Sequence, residues 1–222
     1  MILSGRLKRT ATLCAGLCIA LPAIAVAHPH VFADASLEVV VSSDRTVKSL
    51  GHVWRFDDLF SSTVLFEFDK NKDLQLDDAE LKDVSRTVYE SLAEYGYFQL
   101  VTHDGKDVKM KPPSDLVAIY EDQQLTIMFQ SEPAEKLALS GKVEFGIYDP
   151  TFYTAIDFVE DDMMMVDGMP SSCARAVVRP DPDEAIAQNQ QTLTDAFFND
   201  PTGNDYSKLF ATRLELTCPA QG

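Results

Sequence analysis

Twelve residues between two predicted helices carry oxygen-bearing side chains at a spacing that suits a calcium ion. The segment 69–80 reads DKNKDLQLDDAE. Ca²⁺ takes six to eight oxygen ligands, and an EF-hand loop supplies them from positions 1, 3, 5, 7, 9 and 12. Those positions are filled by Asp69, Asn71, Asp73, Gln75, Asp77 and Glu80. We therefore predict a calcium-binding loop in which Gln75 contributes its main-chain carbonyl.

Position 6 of this loop is Leu74, where EF-hands carry Gly. The position requires a left-handed backbone, which costs a residue with a side chain about 1–2 kcal/mol. We therefore expect weak binding, in the high-micromolar to millimolar range of extracellular calcium modules. The alternative is an acidic turn that joins the helices without binding an ion.

The four histidines of the chain suggest a second metal site with different chemistry. His28 and His30 follow Ala25-Val26-Ala27, which has the small-x-small form of a signal peptidase site. Cleavage before His28 would place a free amine beside an imidazole, and such a pair chelates Zn²⁺, Ni²⁺ or Cu²⁺. His52 is a candidate third ligand if strand register brings it close, and His103 is a further candidate. The alternatives are a solvated terminus for the first pair and a turn role for His103.

The first 27 residues have the layout of a signal peptide. Arg6, Lys8 and Arg9 precede an apolar stretch from about residue 11 to residue 23. This stretch is shorter than the roughly 20 residues that span a bilayer. We expect residues 1–27 to be removed and the remainder to be periplasmic and not embedded in the membrane.

The mature chain is predicted to be strongly acidic. The net charge is −16 for the full sequence, and removing three basic residues with the signal peptide makes it −19. This charge argues against nucleic acid as a partner and favours cations or a basic protein surface. Solubility alone is the simpler explanation for the same excess.

The pattern of apolar residues predicts one α+β domain over residues 28–222, antiparallel and rich in strands. A hairpin of two strands, 31–41 and 47–56, comes first. An EF-hand-like helix-loop-helix at about 57–95 is inserted after it, and a meander of short strands follows. A helix and a strand at about 181–218 close the chain. Cys173 and Cys218 are expected to form a disulfide in an oxidising compartment.

Several segments together resemble a bacterial family of unknown-function proteins described as the periplasmic component of an uncharacterised ABC-type transport system. The resemblance covers roughly residues 28–180. It rests on five segments, namely His28-Pro-His-Val-Phe, His52-Val-Trp-Arg-Phe-Asp57 with Phe60-Ser61, the loop ending Glu80-Leu81, Ser91-Leu-Ala-Glu-Tyr-Gly-Tyr-Phe98 and Tyr148-Asp-Pro-Thr-Phe-Tyr153.

This resemblance implies a periplasmic partner of a nickel/cobalt-type membrane permease, similar to the metal-binding half of a two-part zinc uptake system. It marks His28, His30 and His52 as transition-metal ligands. We therefore expect a carrier of Zn²⁺, or of Ni²⁺ or Co²⁺, that serves an inner-membrane metal permease and also binds Ca²⁺.

Two other functions remain open at this point. The amino-terminal histidine could hold copper in a secreted oxidase, which would need His52 or His103 as an internal ligand. A calcium-stabilised interaction module without a transition metal is the other possibility. Because the sequence contains no nucleophile-and-base motif, phosphate-binding glycine loop or HExxH, we expect a protein that is not an enzyme.

Overall fold

A computed structural model of the chain describes residues 29–199 and 206–220. The helices in these ranges are α1 (Asp58–Phe68), α2 (Asp78–Ala93) and α3 (Pro182–Asn199). The strands are β1 (Val31–Val41), β2 (Thr46–Phe56), β3 (Gln99–His103), β4 (Lys106–Asp107), β5 (Leu116–Glu121), β6 (Gln124–Ser131), β7 (Leu137–Ala138), β8 (Gly141–Ile147), β9 (Thr154–Asp157), β10 (Met164–Asp167), β11 (Ala174–Val178) and β12 (Arg213–Cys218).

The strands form two sheets that share one hydrophobic core. The larger sheet has seven strands in the order β10-β1-β2-β6-β5, with β7 paired to β2 and β9 paired to β1. The smaller sheet has five strands in the order β11-β12-β8-β3-β4. Buried residues of both sheets, among them Leu37 of β1 and Phe145 of β8, belong to one core cluster.

The first hairpin follows directly from the alternation of apolar and polar residues. In β1 every second residue is buried, and β2 pairs with it in antiparallel register. Successive side chains of a strand point to opposite faces, so this period of two places one face of each strand against the core. The predicted hairpin is confirmed.

Local hydrogen bonds fix where the first two helices begin. The Asp57 carboxylate accepts from the backbone N–H of Phe60 at the start of α1, and its second oxygen accepts from Phe32 in β1. Asp77 and Glu80 form a reciprocal capping box at the start of α2. The caps therefore set both ends of the loop between the helices and tie α1 to the first strand.

The expected mixture of helices with β-rich, largely antiparallel sheets is confirmed, but the later strands are not a simple meander. Strands β9 and β10 both pair with β1 in parallel orientation. Parallel pairing needs a crossover between the strands, and local sequence patterns do not specify such a long-range connection. Among the described residues, no helix has the length and apolar character needed to cross a membrane.

A disulfide joins Cys173, just before β11, to Cys218, the last residue of β12. The predicted pairing of these two cysteines is confirmed. The bond fastens the outer pair of strands in the smaller sheet, where Ala174 lies opposite Thr217.

We expect that replacing both cysteines with serine lowers the free energy of unfolding by about 4 kcal/mol. The crosslink spans 45 residues, and a loop of that length restricts the unfolded chain by this amount in the chain-entropy model. Urea unfolding of wild type and of the double variant measures the loss, with wild type kept in reductant as the control. Equal stability with and without the bond would contradict this prediction.

Candidate functional site

His30 lies at the surface, immediately before β1. Its backbone N–H donates to the carbonyl of Tyr153 over 2.8 Å, and the two rings are 5.1 Å apart between centroids. These contacts fix the point at which the amino-terminal segment leaves the larger sheet. His28 falls outside the described residues.

His52 lies inside the hydrophobic core, with 1% of its surface exposed. Its ring stacks on Phe129 at 4.4 Å and meets Trp54 edge-on at 6.1 Å. Among the described residues, neither ring nitrogen has a hydrogen-bond partner. Burial lowers the pKa of His52 to about 3, and the nearby Gln99 side chain raises it by a smaller amount. The side chain is therefore neutral and shielded from solvent.

Strand register separates His52 from the amino terminus. His52 lies opposite Leu37, and Leu37 is seven residues along β1 from His30. At about 3.3 Å per residue this is roughly 23 Å. The structure therefore does not bring His52 to the predicted amino-terminal site, and an imidazole cannot reach across that distance.

His103 occupies a third location, at the end of β3 in the smaller sheet. Its Nε2 lies 2.8 Å from the carbonyl oxygen of Ser140, and Asp104 is 3.7 Å away. The three described histidines thus lie at separate places. Within residues 29–199 and 206–220, no group of three or more His, Cys, Asp and Glu side chains is close enough to hold a metal ion.

The predicted calcium loop begins directly after α1 and extends into the first turn of α2. Its carboxylates accept hydrogen bonds from the loop's own amides. Asp69 accepts from the N–H groups of Lys72 and Leu74, over 2.6 and 2.8 Å. Asp73 accepts from Gln75 over 2.9 Å. These contacts turn the chain around the Asp69 side chain.

Glu80, the last residue of the loop, is buried with 4% of its surface exposed. One carboxylate oxygen accepts from Lys70 N–H over 2.7 Å, and the other accepts from Asp77 N–H over 2.9 Å. The carboxylate at position 12 therefore joins the two ends of the loop.

The backbone of the loop is left-handed at two positions. Lys72 and Leu74 both have a φ of 63°. Leu74 is 66% exposed, so it gains no packing in return for this conformation. The turn expected at loop position 6 is thus formed by a leucine, at a cost of about 1–2 kcal/mol.

A cavity of about 730 Å³ lies beside the amino-terminal segment, and sequence reasoning missed it. Pro29 contributes to its wall, together with the aromatic rings of Phe152 and Phe210. Asp149 also lines it, and only 4% of this residue is exposed. The one available signal was the Asp-Pro-Thr sequence at 149–151, which is typical of a turn built on a carboxylate.

Known proteins were compared with the whole chain. A family described as "Protein of unknown function (DUF1007)" matches residues 13–218. The chain belongs to this family. No curated protein matches the sequence. Membership in DUF1007 carries no assigned activity, so the association with metal transport that the resemblance implied stays a proposal.

Replacing His52 with Phe should make the unfolding free energy less dependent on pH. The folded-state pKa of about 3 lies below the ordinary histidine value of 6.5, so the unfolded chain binds the proton first as the pH falls. The contribution of neutral His52 to the free energy of unfolding is fully present above pH 6.5 and is lost as the pH falls from there toward 3. Between pH 7.5 and pH 5 the wild type should lose about 2 kcal/mol more than His52→Phe.

Urea unfolding at the two pH values measures this difference. Phe129→Leu is the matched control, because it alters the same ring cluster without removing a titrating group. The free energy of unfolding of Phe129→Leu should fall between pH 7.5 and pH 5 by the same amount as that of wild type. Parallel pH curves for wild type and His52→Phe would contradict the buried, neutral state of His52.

Proposed function

We propose that this DUF1007 member is an exported cation-binding protein with two sites of different chemistry. The amino-terminal histidines take up Zn²⁺, or alternatively Ni²⁺ or Co²⁺, and deliver it to an inner-membrane permease. The loop at 69–80 binds Ca²⁺ and stabilises the fold. The observation that carries the proposal is the sequence of that loop, which has oxygen groups at all six ligand positions, together with the amide hydrogen bonds that Asp69 and Glu80 accept within it.

The donor set of the loop fits a hard cation. Carboxylate and carbonyl oxygens are the ligands that Ca²⁺ prefers. The chain turns at the left-handed residues in positions 4 and 6, Lys72 and Leu74. Each carboxylate that accepts an amide hydrogen bond keeps lone pairs for a cation. Buried Glu80, at position 12, would supply the bidentate ligand.

The amino-terminal site fits a softer cation. Imidazole nitrogen suits Zn²⁺, Ni²⁺ and Co²⁺, whereas the loop offers only oxygen. His30 lies at the surface, and its backbone holds it on the sheet. Cleavage before His28 would add an amine and a second imidazole.

The placement of the internal histidines weighs against a copper oxidase. That activity would need an internal histidine beside the terminal chelate. His52 is enclosed in the core, and His103 lies on the other sheet. A carrier that binds through residues 28–30 has no such requirement. It must release the metal to a permease, and this demands ligands that exchange readily.

Calcium at ten times its dissociation constant should raise the melting temperature by roughly 3–5 °C. A ligand that binds only the folded state stabilises by RT ln(1 + [L]/Kd), which is about 1.4 kcal/mol at that concentration. Differential scanning calorimetry with and without Ca²⁺ tests this. Asp69→Asn and Glu80→Gln should abolish the rise, and the glutamine retains the capping box.

Asp78→Asn is the matched control for calcium, since it removes a neighbouring carboxylate that is not among the proposed ligands. This variant should respond to calcium as wild type does. If all variants and wild type respond alike, the loop is an acidic turn and not a calcium site.

The mature chain should bind one Zn²⁺ through His28 and His30. Removing both imidazoles by His28→Ala/His30→Ala should weaken binding more than about tenfold, because losing even a residue that only orients a ligand lowers metal affinity by about that much. Affinity should also fall as pH drops from about 7.5 to 5.5, because a protonated imidazole cannot bind a metal. Isothermal titration calorimetry measures both effects.

His103→Ala is the control for zinc, and its affinity should equal that of wild type. Unchanged zinc affinity in the double variant would overturn the amino-terminal site and leave the calcium-stabilised module as the function. Loss of zinc binding only in Asp69→Asn would place all cation binding in the loop.

A further inference from the structure

The outer side of α1 is apolar although it is exposed to solvent. Leu59 and Phe66 are 75% and 78% exposed, and they lie about two helical turns apart on one side of the helix. Thr63 is exposed between them, and these three residues are called the α1 face below. The opposite side of the helix packs on the core through Val64. A helix that is apolar on all sides is normally a buried helix.

The two hydroxyl groups on this side of α1 donate to the helix itself. Ser62 Oγ donates to the carbonyl of Asp58 over 2.7 Å, and Thr63 Oγ1 donates to the carbonyl of Leu59 over 2.9 Å. A hydroxyl group has one hydrogen to donate, so both donors are already satisfied. Covering the α1 face would therefore leave neither of these donors unpaired, and the desolvation cost of covering it is small.

The neighbouring helix has the composition that is usual for a side facing water. Lys82, Arg86 and Glu90 are exposed on α2, each one turn from the next. The middle of the α1 face has a leucine, a threonine and a phenylalanine instead. The core of a protein interface is enriched in aromatic residues and depleted in Lys and Glu, so the α1 face has the composition of an interface.

The α1 face is held on the larger sheet. Asp57 caps the helix and also accepts from the N–H of Phe32 in β1. On the buried side, Ser61 Oγ accepts from the N–H of Leu125 in β6 over 2.9 Å. A surface that is already ordered loses less conformational entropy when it binds a partner.

The surroundings of the α1 face are acidic. Residues 57–80 contain eight acidic residues and two lysines. Asp58 and Glu67 are exposed, and they adjoin Leu59 and Phe66 on opposite flanks of the face. A second copy of the chain would bring like charges together, and an anionic lipid surface would repel them. The complementary surface has an apolar centre and a basic rim.

We propose that the α1 face binds a partner polypeptide whose surface has an apolar centre and Lys or Arg residues on its rim. Leu59 and Phe66 are the anchors that enter the apolar centre. The acidic flanks attract the basic rim and set the orientation of the partner. The proposal uses neither the amino-terminal histidines nor a metal ion in the 69–80 loop.

The probe is a synthetic amphipathic helix of about 14 residues, with leucine on one side and lysine along both flanks. A second peptide has glutamate in place of each lysine, which keeps the apolar side and reverses the charge of the rim. Isothermal titration calorimetry in buffer with excess EDTA measures both peptides against wild type and Leu59→Ala/Phe66→Ala. Wild type should bind the lysine peptide and not the glutamate peptide. The double variant should bind the lysine peptide at least about tenfold more weakly, because two buried apolar contacts are lost.

Val159→Ala/Ile186→Ala is the matched control, since it also removes two exposed apolar side chains but lies outside α1. This variant should bind the lysine peptide as wild type does. All three proteins have the same charge, so the general attraction between an acidic protein and a lysine peptide is equal among them. Both variants should fold, because the side chains that they lose are exposed.

Equal affinity of the lysine peptide for wild type and for Leu59→Ala/Phe66→Ala would overturn the proposal. Two measurements without peptide test the other occupants of the α1 face, namely sedimentation velocity for a second copy and co-sedimentation with phosphatidylcholine vesicles for a lipid surface. Self-association or vesicle binding that the double variant abolishes would also overturn it. Because EDTA removes metal ions from every titration, failure of this surface and failure of the cation sites are distinguishable.

Discussion

The hydrogen bonding of β1 determines where His30, His52 and the cavity beside Asp149 lie. This strand pairs with β2 along one edge and with β9 and β10 along the other. The first pairing directs His52 into the core opposite Leu37. The second fastens His30 to Tyr153, and Pro29 beside it lines the cavity that Asp149 also lines. A shift of one residue in either register would exchange the buried and exposed faces of the strand.

The same residue type has opposite roles because its surroundings differ. His30 is exposed, immediately before β1. His52 is enclosed by Phe129 and Trp54, and burial holds its pKa far below the range in which it could gain a proton. A buried polar ring without hydrogen bonds costs stability, so His52 is a core residue retained at some expense.

Sequence reasoning succeeded where the determining contacts are local. The hairpin follows from the alternation of buried and exposed residues in β1. The disulfide was predicted on a different ground, because Cys173 and Cys218 are the two cysteines that follow the expected cleavage site. The position of His52 could also have been predicted. His52, Trp54 and Phe56 follow one another at every second position of β2, so they lie on the same, apolar face of the strand. The terminal location of the histidine pair misled the interpretation.

The remainder required long-range information. Nothing near residues 154–167 specifies that β9 and β10 lie parallel to β1, because that pairing joins segments more than a hundred residues apart. The cavity at Asp149 depends on the same pairing and on the 206–212 segment, which forms its other wall. A lone Asp-Pro-Thr turn does not show that Asp149 is buried.

If two cation sites of different chemistry act independently on one fold, zinc and calcium should not compete for binding. Zinc titration of the mature chain at saturating Ca²⁺ is to be compared with titration in calcium-free buffer. Because imidazole and amine ligands are separate from the oxygen ligands of the 69–80 loop, we expect one zinc ion with the same dissociation constant in both buffers. Loss of zinc binding in the presence of calcium would show a single shared site and overturn the proposal of two.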